Sequence, residues 1–293
     1  MVGLTNMTYT NPNALVSAKW LAEHLTSPDV CVVDATSYMP GQGKDGRAQY
    51  NEQHIPGAVY FDINDIADET IPLPHMIPSP EKFASKVRKL GLGDGNKIVI
   101  YDANGGYLAA ARVWWMFRLY GHSDVCLLDG GLPKWLAEER PIEDTPPAPQ
   151  DRHFTARMNN TLVRSVEQVI ANVESQKEQV IDARSAGRFK GEEPEPRPSA
   201  KVGHIPGSLS LPFNSLMNPK ENFIFRSADE IKTCIYNAGI DLSKPITASC
   251  GSGVTACVLA FGLYLIGHEN AAVYDGSWSE WGDHPDTPVD QGE

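Results

Sequence analysis

Gly203-His204-Ile205-Pro206-Gly207-Ser208 has an earlier counterpart in His54-Ile55-Pro56-Gly57-Ala58. Three more pairs follow the same pattern. Gln179-Val180-Ile181-Asp182-Ala183-Arg184 answers Val32-Val33-Asp34-Ala35-Thr36, and Leu263-Tyr264-Leu265-Ile266-Gly267-His268 answers Phe117-Arg118-Leu119-Tyr120-Gly121-His122. Val273-Tyr274-Asp275-Gly276 answers Leu127-Leu128-Asp129-Gly130. All four pairs keep an offset of about 147 residues, the mark of an internal duplication.

Each copy alternates strand and helix signals. In the first, Ser17 caps a short helix over 18–25, and Val30-Cys31-Val32-Val33-Asp34, 59–61 and Lys97-Ile98-Val99-Ile100-Tyr101 read as strands. Ser79-Pro80-Glu81 starts a helix that Gly91 ends. An apolar helix over 106–120 and a strand plus turn over 125–131 complete the copy. In the second, Ser165 caps a helix through Val173, and Ser227 with Glu230 forms a capping box for a helix that Gly239 ends. Strands separated by helices imply an α/β fold: two tandem domains, each a mostly parallel sheet with helices on both faces. The expected boundaries are 1–140 and 161–293, joined by a stiff proline-rich linker over 141–160 that holds Thr145-Pro146-Pro147-Ala148-Pro149.

A length of 293 residues suits two domains, and 41% apolar residues can build their cores. The net charge of -12 argues against nucleic acid or an anionic membrane surface as partner. No stretch is long and apolar enough to span a bilayer. Residues 1–13 carry no secretory pattern and no Arg-rich transit pattern. The five cysteines, Cys31, Cys126, Cys234, Cys250 and Cys257, are widely spaced and include no C-x-x-C. This argues against a disulfide framework or a zinc site and suits a reducing cytoplasm.

The chemistry centres on Cys250. Pro245-Ile246-Thr247-Ala248-Ser249 reads as a short buried strand and the apolar run 256–266 as a buried helix; Cys250-Gly251-Ser252-Gly253-Val254-Thr255 lies between them. Two glycines let this loop curl tightly. A curled loop feeding a helix N-terminus turns backbone N–H groups inward and stabilises an anion, which here is the nucleophilic thiolate. The alternative is a structural thiol that happens to precede a helix. Cys257, inside the apolar run, reads as core. The offset puts the first copy's matching place at Ala103 or Asn104, where no cysteine stands. Ligands in open α/β sheets sit at the C-terminal ends of strands, so the cleft is expected at Cys250 with the inert copy as one wall.

The duplicated halves, the two His-Ile-Pro-Gly turns, the Cys250 loop and Asp275-Gly276-Ser277-Trp278-Ser279-Glu280-Trp281 resemble the tandem-domain rhodanese-like sulfurtransferases over nearly the whole chain. The loop is most similar to the branch that uses 3-mercaptopyruvate. Thiosulfate-specific members typically carry basic residues after the cysteine, where this chain has Gly251 and Ser252. The resemblance implies a persulfide on Cys250, with Ser252 and His75 (in Leu73-Pro74-His75-Met76-Ile77-Pro78) as catalytic partners. It implies that Arg188 and Arg197 grip the substrate carboxylate, and that Gly251, Gly253, Val254 and Thr255 form the binding loop. Guanidinium suits that role because it matches a planar carboxylate with paired hydrogen bonds. Read alone, 187–197 is a charged surface loop and His75 a surface histidine. Lys190 and Arg184 read as structural or solvent-facing. The aspartate of the family's Asp–His–Ser relay falls at Asn64, with Asp65 beside it. No metal or organic cofactor is implied; the expected partners are 3-mercaptopyruvate and a thiol acceptor such as thioredoxin or another dithiol, with cyanide as the alternative acceptor.

Three other readings remain at this stage. A thiosulfate sulfurtransferase shares the fold and the nucleophile. A non-enzymatic sulfur-relay module would use the same loop toward a protein partner. A cysteine phosphatase needs an arginine six residues after the cysteine to clamp phosphate, and that position is Ala256.

Overall fold

Two parallel sheets with the same strand order carry the duplication. The computed structural model describes residues 8–39, 41–105 and 107–292. The first sheet contains β1 (Leu15–Val16), β2 (Val30–Asp34), β3 (Val59–Tyr60), β4 (Lys97–Tyr101) and β5 (Val125–Leu128), ordered β1-β5-β4-β2-β3. The second half contributes β6 (Val163–Arg164), β7 (Gln179–Asp182), β8 (Leu209–Ser210), a small antiparallel pair β9 (Met217–Asn218) and β10 (Ile224–Phe225), then β11 (Ile246–Ser249) and β12 (Ala272–Tyr274). Its main sheet runs β6-β12-β11-β7-β8, the same order strand for strand. Helices α1 (Ala18–His24), α2 (Gly46–Glu52), α3 (Pro80–Lys89), α4 (Leu108–Leu119) and α5 (Gly131–Ala137) belong to the first half. Helices α6 (Val166–Ser175), α7 (Ala186–Lys190), α8 (Ala228–Asn237), α9 (Ala256–Leu265) and α10 (Ser277–Trp281) belong to the second.

Local chemistry sets most of these bounds. Ser17 accepts the Trp20 N–H at 3.1 Å, Ser79 accepts that of Lys82 at 3.2 Å, and Ser227 and Glu230 form a reciprocal box. Helix α4 begins at Leu108; its expected start, Gly106, lies outside the described residues, as do 1–7 of the opening stretch. Gly130-Gly131, read as a turn, instead opens α5. The edge strands β1 and β6 were not expected, because two-residue strands are too short to show a period.

Alternation along the strands divides the core. Val33, Ile98, Ile100, Val125 and Leu127 face one cluster, while Val32, Val99, Cys126 and Leu128 face another with Tyr50, Leu132 and Trp135. In the second sheet, Ile181, Ile246, Ala248 and Val273 join the first of these clusters, while Val180 and Tyr274 face Val166, Trp278 and Trp281. The largest core is therefore shared by both sheets, with α4 and α9 at its centre. The Trp114 ring meets Phe261 edge-on at 4.8 Å and Tyr264 at 5.3 Å. The 141–160 stretch is docked along the first half: Phe154 is fully buried against Phe83 and Phe117, and the Asn159 N–H donates to the Leu119 carbonyl at 2.7 Å.

Strand register corrects the placement of the missing nucleophile. Asp34 pairs with Tyr101 in the first sheet as Asp182 pairs with Ser249 in the second, so the residue that follows the strand is Asp102 in one and Cys250 in the other. The backbone agrees, since the Asp102 carbonyl accepts the Leu132 N–H at 3.0 Å where that of Cys250 accepts the Trp278 N–H at 2.9 Å. The offset is not constant along the chain, which put the expectation at Ala103 or Asn104. In Asp102 the first copy supplies its own acceptor. The carboxylate accepts the Ala110 N–H at 3.1 Å, and burial pushes its pKa up to about 7.

One charged group lies inside the shared core. Arg112, on α4, is 1% exposed and pairs with Asp275 of the second half at 2.6 Å. Breaking a buried pair by removing one partner leaves an uncompensated charge and costs about 3–5 kcal/mol. Arg112→Met is therefore expected to lower unfolding stability by about that amount in urea titration, and adding Asp275→Leu should recover most of it. A single-variant loss under about 1 kcal/mol would show that the pair is dispensable.

Candidate active site

Strand β11 ends at Ser249, so the loop that follows leaves the C-terminal edge of the sheet before α9 begins. The loop is fixed from behind by α10. The Cys250 N–H donates to Ser277 Oγ at 3.1 Å, and the Gly251 carbonyl accepts the Ser279 N–H and hydroxyl, both at 2.8 Å. Gly253 has φ +73, and a Cβ there would run into the Asp275 carbonyl, so only glycine fits. Among the described residues, the N–H groups of 251–256 meet no protein acceptor. In the first half the Asp102 carboxylate accepts the Ala110 N–H from the corresponding loop and helix start.

Cys250 opens on a cavity of about 360 Å³. Of the residues singled out in the sequence, Cys250, Gly251, Ser252, Val254, Thr255, Arg188, Arg197 and His75 all line it. Gly253 does not; it shapes the loop from beneath. Cys257, by contrast, is wholly buried, its thiol donates to the Gly253 carbonyl at 3.2 Å, and burial pushes its pKa up to about 12.

Arg197 bridges the two halves. Its Nη1 donates to Ser252 Oγ at 3.4 Å and its Nη2 to His75 Nε2 at 3.1 Å. That second bond requires a lone pair on Nε2, hence a neutral imidazole. Burial, then the nearby charges of Arg197 and Arg112, pull the His75 pKa down to about 3. His75 has φ +60, a left-handed conformation held by Arg112, whose Nη2 donates to the His75 carbonyl at 2.6 Å. Arg112 also reaches the Gly253 carbonyl at 3.3 Å, and its partner Asp275 accepts the Ile77 N–H at 2.9 Å. A single guanidinium therefore fixes the histidine loop against the cysteine loop.

Neither relay candidate reaches His75. The Asp65 carboxylate pairs with Lys86 at 2.6 Å, Asn64 is exposed, and the buried His75 Nδ1 meets no hydrogen-bond partner among the described residues.

The stretch read alone as a surface loop is built inward. Arg188 pairs with Glu195, and Glu195 also takes Arg184 Nη1 at 2.8 Å. Arg184 is structural, with Asp182 gripping Nε and Nη2 and Trp278 stacking 4.3 Å from the guanidinium. Lys190 is exposed. The sequence reading missed Glu195 and Arg112, as well as the wall formed by Ser37, Tyr38, Met39 and Gln42 of the first half. Arg112 had a signal, a lone charge between Ala109-Ala110-Ala111 and Val113-Trp114-Trp115. Glu195 had none, being one of several acids in a charged run.

Residues 17–138 and 165–284 each match the Rhodanese-like domain family. The chain is 44% identical to the Homo sapiens protein named 3-mercaptopyruvate sulfurtransferase, over 92% of this chain and 91% of that one. It is 42% identical to the Rattus norvegicus protein named thiosulfate sulfurtransferase, over 95% and 96%. The crystal structure of SseA from Escherichia coli, described as a 3-mercaptopyruvate sulfotransferase with the rhodanese fold, superposes with a TM-score of 0.83 at 38% identity, covering 91% of this chain and 99% of that one. Two matched copies, the shared strand order and this likeness place the chain in the family of tandem rhodanese-like sulfurtransferases.

Proposed function

We propose that the protein transfers sulfur from 3-mercaptopyruvate to a thiol acceptor or cyanide through a persulfide on Cys250. The observation that carries this reading is the placement of Cys250, the only cysteine among the described lining residues, in a cavity walled by the arginines Arg184, Arg188 and Arg197. The family's named relatives use either donor, so overall identity does not choose between them. Uncharged Gly251 and Ser252 favour mercaptopyruvate over a dianionic donor.

The chemistry follows from the groups present. The Cys250 thiolate attacks the donor sulfur, the C–S bond breaks, and its electron pair leaves on carbon as the enolate of pyruvate. The donor thiol proton is lost, the enolate carbon gains one, and sulfur stays on Cys250 as the persulfide. Arg188 and Arg197 hold the carboxylate and the oxygen on which charge grows. A carboxylate drawn to Arg197 competes with His75 for that guanidinium; once released, the neutral imidazole can exchange a proton with Ser252. The free N–H groups of 251–256 favour sulfur as an anion before and after transfer. An acceptor nucleophile, a thiolate of thioredoxin or another dithiol or else cyanide, then attacks the outer sulfur, takes it as a new persulfide or as thiocyanate, and regenerates the Cys250 thiolate. The free cysteines fit a reducing cytoplasm as the working compartment.

Three outcomes are expected. Mass spectrometry after donor without acceptor should find one added sulfur on Cys250, and Cys250→Ser should lose both the adduct and turnover; an active enzyme with unmodified Cys250 would sink the mechanism. Arg197→Ala should lower kcat/KM for mercaptopyruvate roughly 10- to 150-fold, the worth of a charge-assisted hydrogen bond. His75 should remain neutral in nitrogen-edited NMR until the pH nears 3. An unfolded histidine binds its proton near pH 6.5, so between about 6.5 and 3 the unfolded state holds more protons and stability falls as pH falls. Replacing His75 with Gln should flatten that part of the stability profile, and an unchanged profile would show that His75 is not held neutral.

A further inference from the structure

The residues just before the His-Ile-Pro-Gly turn differ between the copies. In the first they form α2, a helix held by its own backbone bonds. In the second, 191–208 has no helix or strand before β8, and Arg197 lies within it. Arg197 itself makes two contacts, Ser252 Oγ at 3.4 Å and the neutral His75 at 3.1 Å, and neither is an ion pair. Its place therefore depends on what braces the backbone around it. The braces come from α10 and the segment that follows. Trp278 Nε1 donates to Ser199 Oγ at 3.1 Å, the Ala200 N–H to the Asp283 carboxylate at 2.6 Å and the Lys201 N–H to the Gly282 carbonyl at 3.1 Å. The Lys201 side chain reaches further. Its Nζ donates to the His284 carbonyl at 2.5 Å, the Thr287 carbonyl at 2.8 Å and Thr287 Oγ1 at 2.9 Å, so three acceptors match the three donors of an ammonium. Charge-assisted bonds of this kind are stronger than neutral ones.

We infer that Lys201 is a positioning residue for donor binding: by tying the Arg197 stretch to residues 284–287, it sets where that guanidinium stands relative to Cys250. This rests on the sulfurtransferase reading above. One helix supplies both ends of the span. The backbone N–H groups of Trp278 and Ser279 hold the carbonyls of Cys250 and Gly251, while the Trp278 indole and the residues after α10 hold the Arg197 stretch. Lys201 does not line the cavity, so it acts on a donor only through the stretch it anchors.

The test reads the two half-reactions separately in wild type and in Lys201→Met, which keeps an unbranched chain and removes the ammonium. The kcat/KM for mercaptopyruvate should fall roughly ten- to a hundredfold, the scale of a displaced binding group, and no further than in Arg197→Ala. Sulfur transfer from preloaded Cys250 to 2-mercaptoethanol, which has no carboxylate to grip, should keep the wild-type rate. In an Arg197→Ala background the Lys201 substitution should add nothing. Equal losses in both half-reactions, an undiminished effect in the double variant, or an unchanged kcat/KM would each overturn the inference. If Lys201→Met does not fold, Lys201→Gln is read by the same criteria. Calorimetric titration with pyruvate needs no turnover. A wild type that binds pyruvate but uses no donor would sink the functional reading alone; weaker pyruvate binding by Lys201→Met would then still support the role of Lys201, and equal binding would refute it. A wild type that binds no pyruvate has no carboxylate grip to position, which overturns the inference directly.

Discussion

Arg112 is the constraint on which the working arrangement depends. It is a full charge inside an apolar helix, in the core that the two sheets share. Such a charge is tolerated only when paired and hydrogen-bonded, and its acceptors come from three places: Asp275 after β12, the His75 carbonyl of the first half, and the Gly253 carbonyl of the cysteine loop. A nonpolar side chain could fill the space but could not dictate which loop lies against which. Its three bonds tie the histidine loop, the cysteine loop and the turn after β12 to one another.

Duplication explains why such a tie is needed. Both copies place a loop at the end of the same strand. In the first copy the Asp102 carboxylate accepts the Ala110 N–H; in the second, among the described residues, the N–H groups of 251–256 meet no protein acceptor. The same position after the strand thus carries an acid in one copy and a thiol in the other. The closed copy contributes surface instead, with Ser37, Tyr38, Met39, Gln42 and His75 facing Cys250 across the cavity.

The electrostatics of the cavity are graded. Arg184 is spent on structure, Arg188 is shared with Glu195, and Arg197 holds a neutral histidine and a serine. His75 stays uncharged because its burial, and then the charges of Arg197 and Arg112, oppose protonation. No aspartate is needed to fix its orientation, since Arg197 at Nε2 and Arg112 at the carbonyl already do so.

The sequence by itself determined the repeat, the strands β2, β4, β7 and β11, the helix caps and the identity of Cys250 as the candidate nucleophile, because these rest on local periodicity, capping chemistry and short-range loop geometry. That Arg188, Arg197 and His75 come together at Cys250 was legible only through resemblance; alone, they read as surface residues. Tertiary structure decided what depends on contacts between distant residues: that Asp102 occupies the place of Cys250, that Asp65 turns away to Lys86, that Glu195 faces the cavity, and that Arg112 joins the halves. Burial and pairing arise only when segments far apart in the chain meet, and a charged residue carries the same letter whether it ends in solvent or in the core.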